Sequence, residues 1–286
     1  MSGIRDIKRR IRAVTNIQHV TKAMQMVAAA KMRRAQDRVL AARPYALKLA
    51  EVAGRLAGAA NARELPLVAP REVKTAGYVL ITGDRGLSGA YNSSLIQLAE
   101  TCLSQEERPV ALVTIGRKGY RYFRQRPVKI LKNIVDIKDD FDISQAGELA
   151  RQLMELFLQG QLDEVNLIYA RFYSALHYTP RVERLLPLET PPPEEVVDTG
   201  YIFEPEPTGI LTALLPRYCE IKVYQALLDA KASEHSASMI AMDAATKNAG
   251  EMIERLTLTF NKARQSAITT EILEVATGAE ALKDWQ

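Results

Sequence analysis

The string most able to do chemistry is Gly83-Asp84-Arg85-Gly86-Leu87-Ser88-Gly89, between a strand-like run and a helix-like one. Glycines in that place can cradle a phosphate on backbone N–H groups at a helix N-terminus. The spacing is neither GxGxxG nor GxxxxGKS/T, and no Lys-Ser/Thr pair follows. The better reading is a tight strand-to-helix turn, with Ser88 and Asn92 available as caps. Ser88 makes a poor nucleophile: it is not in GxSxG, and none of His19, His177 and His235 is visibly paired with it. Those histidines form no convincing metal set. Cys102 and Cys219 lie in no CxxC or Cys/His cluster, so they read as free thiols of a reducing compartment. Met24, Met26, Met32, Met239, Met242 and Met252 all fall in the terminal segments. They suit adaptable packing against a partner better than a metal box. No cofactor is expected.

Charge is the second chemical signal. Residues 1–43 hold eleven Lys or Arg against Asp6 and Asp37, a charge of +9, so the overall +4 leaves −5 for the rest. A block this basic fits nucleic acid, anionic lipid or an acidic protein surface, or simply a solvated helix face. A mitochondrial transit peptide is opposed by the early Asp6 and by the heptads described next.

Apolar residues at 47% and charged residues at 25% describe an ordinary folded chain, and 286 residues bury a core without disulfides or metals. No run approaches the roughly 18 apolar residues of a membrane span. From Ile4, steps of three and four residues reach position 60, and fourteen of seventeen positions are apolar. A heptad sustained this long predicts a coiled coil. The exceptions, Gln18, Thr21 and Gln25, are consecutive, and the apolar stripe moves over to Ile17, Val20, Met24 and Val27, which predicts a change of winding or of partner. Pro44 should kink this helix. Val27-Ala28-Ala29-Ala30 is apolar all round, so part of the shaft is expected inside another protein.

The other end behaves alike. From about Leu211 to Leu282 the breakers are Pro216, tolerable in a first turn, Gly250 and, near the end, Gly278. Positions 239 to 267 carry the seam, which slips to Ile268, Ile272, Val275, Ala279 and Leu282. A helix this long exceeds the diameter of a domain of this size, and its natural partner is the first helix, folded back antiparallel.

Between them strand and helix alternate. Ala76–Thr82, Pro109–Gly116, Val128–Val135, Asn166–Phe172 and Thr179–Leu188 read as strands. Ser93–Ser104, Arg117–Gln125 and Ser144–Gln159, with Ser144 as N-cap, read as helices. That order predicts a mostly parallel, doubly wound sheet. Residues 189–209, with Pro191–Pro193, Pro205 and Pro207, read as a proline-rich loop.

The opening IRDIKRRIRAVTNIQHVTKAMQMVAAAKMRRAQ, the ITGDRGLSGAYN block at Ile81–Asn92, Ser233–Ile253 and Phe260–Leu282 closely resemble the γ subunits of rotary F-type ATP synthases, end to end. The resemblance implies a coiled coil of the terminal helices (1–60 and 210–286) around which a Rossmann-like α/β domain (61–209) packs. It implies a non-catalytic central rotor inside a ring of α and β subunits, coupling ion flow through a membrane c-ring to ATP synthesis, with an ε subunit as further partner. It puts Met24 beside an acidic β-subunit loop, with Lys22, Arg9 and Arg10 as nearby basic contacts. Arg264 and Gln265 match a pair that hydrogen-bonds a β-subunit loop, and Thr269 and Glu271 match positions that affect coupling. Ser238 stands where relatives often carry arginine, and the chloroplast insert with its cysteine pair is missing, so thiol regulation is not expected. The implied setting is the cytoplasmic face of a bacterial plasma membrane, peripheral, with no bilayer insertion and no nucleic acid bound. Two rivals stand beside this: a free α/β nucleotide-binding enzyme with a coiled-coil arm, and a basic coiled-coil nucleic-acid binder.

Overall fold

Two apolar runs without alternation, AGYVLI and VALVTI, become the middle of a sheet, because strands covered on both faces need no polar side. The computed structural model describes residues 3–59, 64–188 and 206–283, with side chains at 3–56, 64–188 and 206–279. The elements are α1 (Ile4–Ala59), β1 (Ala76–Ile81), α2 (Tyr91–Gln105), β2 (Val110–Ile115), α3 (Arg117–Phe123), β3 (Lys129–Ile134), α4 (Ile143–Leu158), β4 (Glu164–Ser174), β5 (His177–Leu186) and α5 (Pro207–Lys283). The strand order is β3-β2-β1-β4-β5. Val79 of β1 pairs with Val113 of β2 and Leu167 of β4, both in parallel. Only β5 runs antiparallel, as a hairpin with β4. The mostly parallel, doubly wound sheet is present.

The chain divides into two compact units, Met1–Val27 with Met239–Gln286, and Ala28–Ser238. The division falls inside both long helices rather than at their ends. In the larger unit, Ala28, Met32, Ala35, Val39, Ala46, Leu49, Ala53 and Leu56 keep the heptad stripe of α1 buried. Ala46 and Leu49 pack with Ile221 of α5. On one face of the sheet Leu80, Leu112 and Ile168 meet Tyr91, Leu95 and Ala99 of α2. The apolar side of α4 (Ala146, Leu149, Ala150, Leu153, Phe157) is buried too.

Several local expectations change. The helix of α4 is capped by Asp142, whose carboxylate accepts from the Gln145 N–H at 2.9 Å, and not by Ser144. An extended aspartate is an equally good cap, and its charge suits the positive helix end. The α2 N-cap is Ala90 with no side-chain cap, because Asn92 turns back to the preceding loop, accepting from the Gly83 N–H at 2.9 Å and donating to Ser88 Oγ at 3.0 Å. Pro44 lies inside α1 without ending it, as a kinking proline can. Leu40 and Pro44 are both exposed, so the carbonyl left without a donor faces water. Pro216 lies inside α5 and not in its first turn, a place taken by Pro207. Of the proline-rich loop at 189–209, residues 189–205 lie outside the described residues, and 207–209 are helical.

Candidate functional site

In the smaller unit α1 and α5 pair antiparallel. Thr246 Oγ1 donates to Thr21 Oγ1 at 2.8 Å, and Gln25 Nε2 donates to Asp243 Oδ1 at 2.8 Å. Ascending α1 therefore meets descending α5. Thr21 Oγ1 in turn donates to the Gln18 carbonyl (3.1 Å), and Lys22 Nζ donates to Gln25 Oε1 (3.2 Å). Lys247, 2.7 Å from Asp243, holds that carboxyl below its ordinary range through a hydrogen bond. A Cβ on Gly250 would sit 3.2 Å from Gln18 Nε2, so the glycine makes room for the amide.

The predicted change of phase is thus absent. Gln18, Thr21 and Gln25 stay in the seam, half-buried or buried, like Ile4, Ile7, Ile11 and Val14 before them. Hydrogen bonds across the seam hold Thr21 and Gln25, and Gly250 leaves room for the Gln18 amide, so the heptad does not have to slip. The second apolar stripe is left in solvent: Ile17 is 55% exposed, Val20 58%, Met24 38% and Val27 56%. These polar partners on α5 were missed in the sequence, although Asp243 and Thr246 were there to be matched with the interruption in α1.

On α5 the seam runs from Met239 to Ala263, each predicted position buried or half-buried. Ala267, assigned to it from the sequence, is exposed. Beyond Ala263 every described side chain is exposed, including Ile268, Ile272, Leu273 and Val275. Leu282 of the slipped stripe lies outside the described side chains.

All eight residues singled out for partner contact are exposed. Arg9 holds Asp6 at 3.0 Å. Arg10 stands fourteen residues, about 21 Å, along the helix from Met24. Arg9 and Arg10 therefore address a different level of α1, while Lys22 and Met24 share one. Arg264 makes no ion pair with Glu271 or any other described residue. Thr269 Oγ1 donates to the Gln265 carbonyl at 2.9 Å.

The larger unit holds the place where a doubly wound sheet takes a ligand, the crevice between β1 and β4 at their carboxyl ends, from which the connections diverge. The Gly83–Gly89 turn lies there and is held by Asp84, which accepts from the backbone N–H groups of Arg117 (3.0 Å) and Asp136 (3.1 Å). Helix α5 fills the crevice. Tyr91 OH donates to the Ala230 carbonyl (3.0 Å), Ser233 Oγ to that of Ala170 (3.1 Å) and Ser236 Oγ to that of Ala175 (2.6 Å). The Glu234 carboxylate lies against Gly83, where an added Cβ would overlap it, and burial pushes its carboxyl up. The cavity left among Thr82, Gly116, Lys231 and Glu234 is about 10 Å³, room for at most a single water and far short of a phosphate.

Beside it, Asp139, in the connection between β3 and α4, joins α1 and α5 through Lys31 (2.8 Å), His235 (3.0 Å) and Lys231 (3.8 Å). The hydrogen bond from His235, with Lys31 and Lys231, drives its carboxyl far down. Cys219 is fully buried with its thiol pushed up to about 12 by desolvation, and Cys102 is raised for the same reason.

The family described as ATP synthase matches residues 3–282. The chain is 62% identical to the ATP synthase gamma chain of Moorella thermoacetica, across 99% of this chain and 100% of that one. It is 49% identical to the gamma chain of Desulfitobacterium hafniense over the same shares. Among solved structures, the central stalk and c-ring assembly of the Tetrahymena thermophila mitochondrial ATP synthase contains a similar chain, at 28% identity and a TM-score of 0.61, covering 79% of this chain and 99% of that one. A chain of the Euglena gracilis mitochondrial ATP synthase shares the fold at 18% identity, with a TM-score of 0.68 over 98% of this chain and 94% of that one.

Proposed function

Because the chain belongs to the ATP synthase gamma chain family, we propose that the apolar surfaces left open on its long helices are where the catalytic head grips a turning shaft. The chain is the central rotor shaft of a rotary ATP synthase, coupling ion flow through the membrane sector to ATP synthesis and hydrolysis. Its partners are the alpha and beta subunits of the head and the c-ring, with an epsilon subunit beside them.

One observation carries the reading: α5 beyond Ala263 is exposed on every side, yet it bears Ile268, Ile272, Leu273 and Val275. A helix alone in water has no use for such a surface, whereas a sleeve of other subunits removes it from water. A shaft with unlike faces offers each catalytic subunit a different set of contacts in turn, and that difference shifts their conformational populations. Met24 and Lys22 form one contact level beside an acidic loop, and Arg9 and Arg10 another. Arg264 and Gln265 form a polar latch with the sleeve, and Thr269 and Glu271 extend it. The free guanidinium of Arg264 supports this, since a fixed planar donor pair matches a carboxylate.

The chain itself is not catalytic: α5 occupies the crevice that a nucleotide would need, which also counts against the free-enzyme reading. No helix among the described residues is long and apolar enough to cross a membrane. With bacterial relatives, this supports a peripheral position on the cytoplasmic face of the plasma membrane. The test is assembly with alpha and beta subunits. In that complex Arg264→Ala lowers steady-state ATP turnover by more than about tenfold, about 1.4 kcal/mol in the limiting step, while the melting temperature of the isolated chain stays put. Turnover near wild type would remove the latch.

A further inference from the structure

A cavity of about 390 Å³ lies in the larger unit, between α1, the β4–β5 hairpin and α5, away from the filled crevice and from the partner-facing stripes. Its volume is in the range of small-molecule sites. Most of the charges around it are already matched. Glu183 is held by Tyr169 OH (2.7 Å), Arg181 (3.2 Å) and Lys222 (3.5 Å). Arg43 donates to the Phe172 carbonyl (3.4 Å).

Asp229 and Arg171 are the exceptions. Both line the cavity, and neither makes a hydrogen bond or ion pair with a described residue, although they attract each other through space. Asp229 is only 8% exposed, yet its oxygens are not sealed off, since Arg71 Nε is the one buried polar atom without a partner among the described residues. The carboxylate therefore opens onto the cavity. An interior carboxylate with no donor is costly, and the half-buried Arg171 beside it has no acceptor among the described residues. The chain keeps both, facing one space, without closing them on each other.

We propose that this cavity binds a small zwitterion of the amino-acid class, its ammonium group on Asp229 and its carboxylate on Arg171. A simple amine would leave Arg171 without an acceptor and meet Arg43 and Lys222. A simple carboxylate would be repelled by Asp229 and Glu183. A molecule with both ends satisfies both residues, and its aliphatic spacer lies against Ala42, Ala46 and the Tyr169 and Tyr218 rings. Burial also pushes the Asp229 carboxyl up to about 6, so the site is ionised and competent above that pH. The charges facing it are Arg171 on β4, Arg43 on α1, Glu183 and Arg181 on β5, and Lys222 on its own helix.

The test is calorimetric titration of the full chain at pH 7.5 with glycine, 4-aminobutanoate and 6-aminohexanoate, beside butylamine and butanoate as single-ended probes. At least one zwitterion binds saturably. Both single-ended probes bind at least about tenfold more weakly, and the zwitterion that binds the wild-type chain binds Asp229→Asn and Arg171→Gln at least about tenfold more weakly. Ala42→Leu, which narrows the cavity without changing charge, lowers affinity too, with melting temperature as the check on folding. Three results would overturn the proposal: no saturable binding by any zwitterion, equal binding by all three variants, or butanoate binding as tightly as 4-aminobutanoate.

Discussion

Replacing Asp229 by Asn removes a charge from the interior with almost no change of shape, and the consequence for stability depends on pH. Burial raises this carboxyl from 3.8 to about 6, against the pull of Arg171 and Arg43. A raised acid leaves the folded chain at full stability below pH 3.8, where both states are protonated. That stability drains away as pH rises through about 6, where the folded carboxyl must ionise. The loss comes to about 1–2 kcal/mol at pH 5 and about 3 kcal/mol at pH 8. Asp229→Asn therefore stabilises the chain more at pH 8 than at pH 5, by roughly 1–2 kcal/mol. Urea denaturation followed by circular dichroism at the two pH values measures the difference. A gain equal at both, or a loss at pH 8, would mean that the carboxylate is paired or well solvated, and the electrostatic reasoning would fail.

Thr21→Val and Thr246→Val should each lower the melting temperature, at a cost of about 1 kcal/mol. The double variant should cost less than the two singles together, and strict additivity would deny the bond across the seam. Gly83→Ala should destabilise by about 1–3 kcal/mol, because the Glu234 carboxylate it meets is confined. Adding Glu234→Ala should recover part of that in denaturant titrations, and no recovery would place the strain elsewhere. Leu256→Asp, in the half-buried seam of α5, should cost about 1–3 kcal/mol. Unchanged helicity and melting would mean that this face does not pack.

Sequence reading went furthest where one periodicity governed. Strands β1 and β2 were legible because a strand buried on both faces is a plain apolar run ending at a glycine-bearing turn. Strand β4 extends past the predicted Phe172 because its end pairs with β5, Ser174 opposite His177, and such polar edge residues carry no apolar signal. The α4 cap was misplaced because Asp142 and Ser144 are chemically equivalent candidates two residues apart. The seam was misread at Gln18, Thr21 and Gln25 because burial there rests on partners more than two hundred residues away. The roles of the partner-contact residues came only from family resemblance, since no local pattern distinguishes them from other exposed helix positions. Nothing local announced the Asp229 cavity, whose walls come from α1, β4, β5 and α5 at once.

The inversion of polarity along α1 follows from what a rotor requires. Between Ala13 and Ala30 the inner face takes Gln18, Thr21 and Gln25, and the outer face takes Ile17, Val20, Met24 and Val27. A coiled coil meant only for water would have them the other way round. Hydrogen bonds are directional, so placing them inside fixes the register of the two helices against sliding, at some cost in core burial. Apolar contact is non-directional and scales with area, so an outer face of Ile, Val and Met loses little as it turns against a sleeve. Lys22 is the one lysine or arginine in that stretch. Under the proposed contacts, charged attraction to the sleeve is thereby restricted to a single point on this level, and Arg9, Arg10 and Arg264 would supply it elsewhere. A shaft built this way transmits torque through its interior bonds and meets few deep energy wells at its surface, which is the combination that lets it hold its shape and still turn.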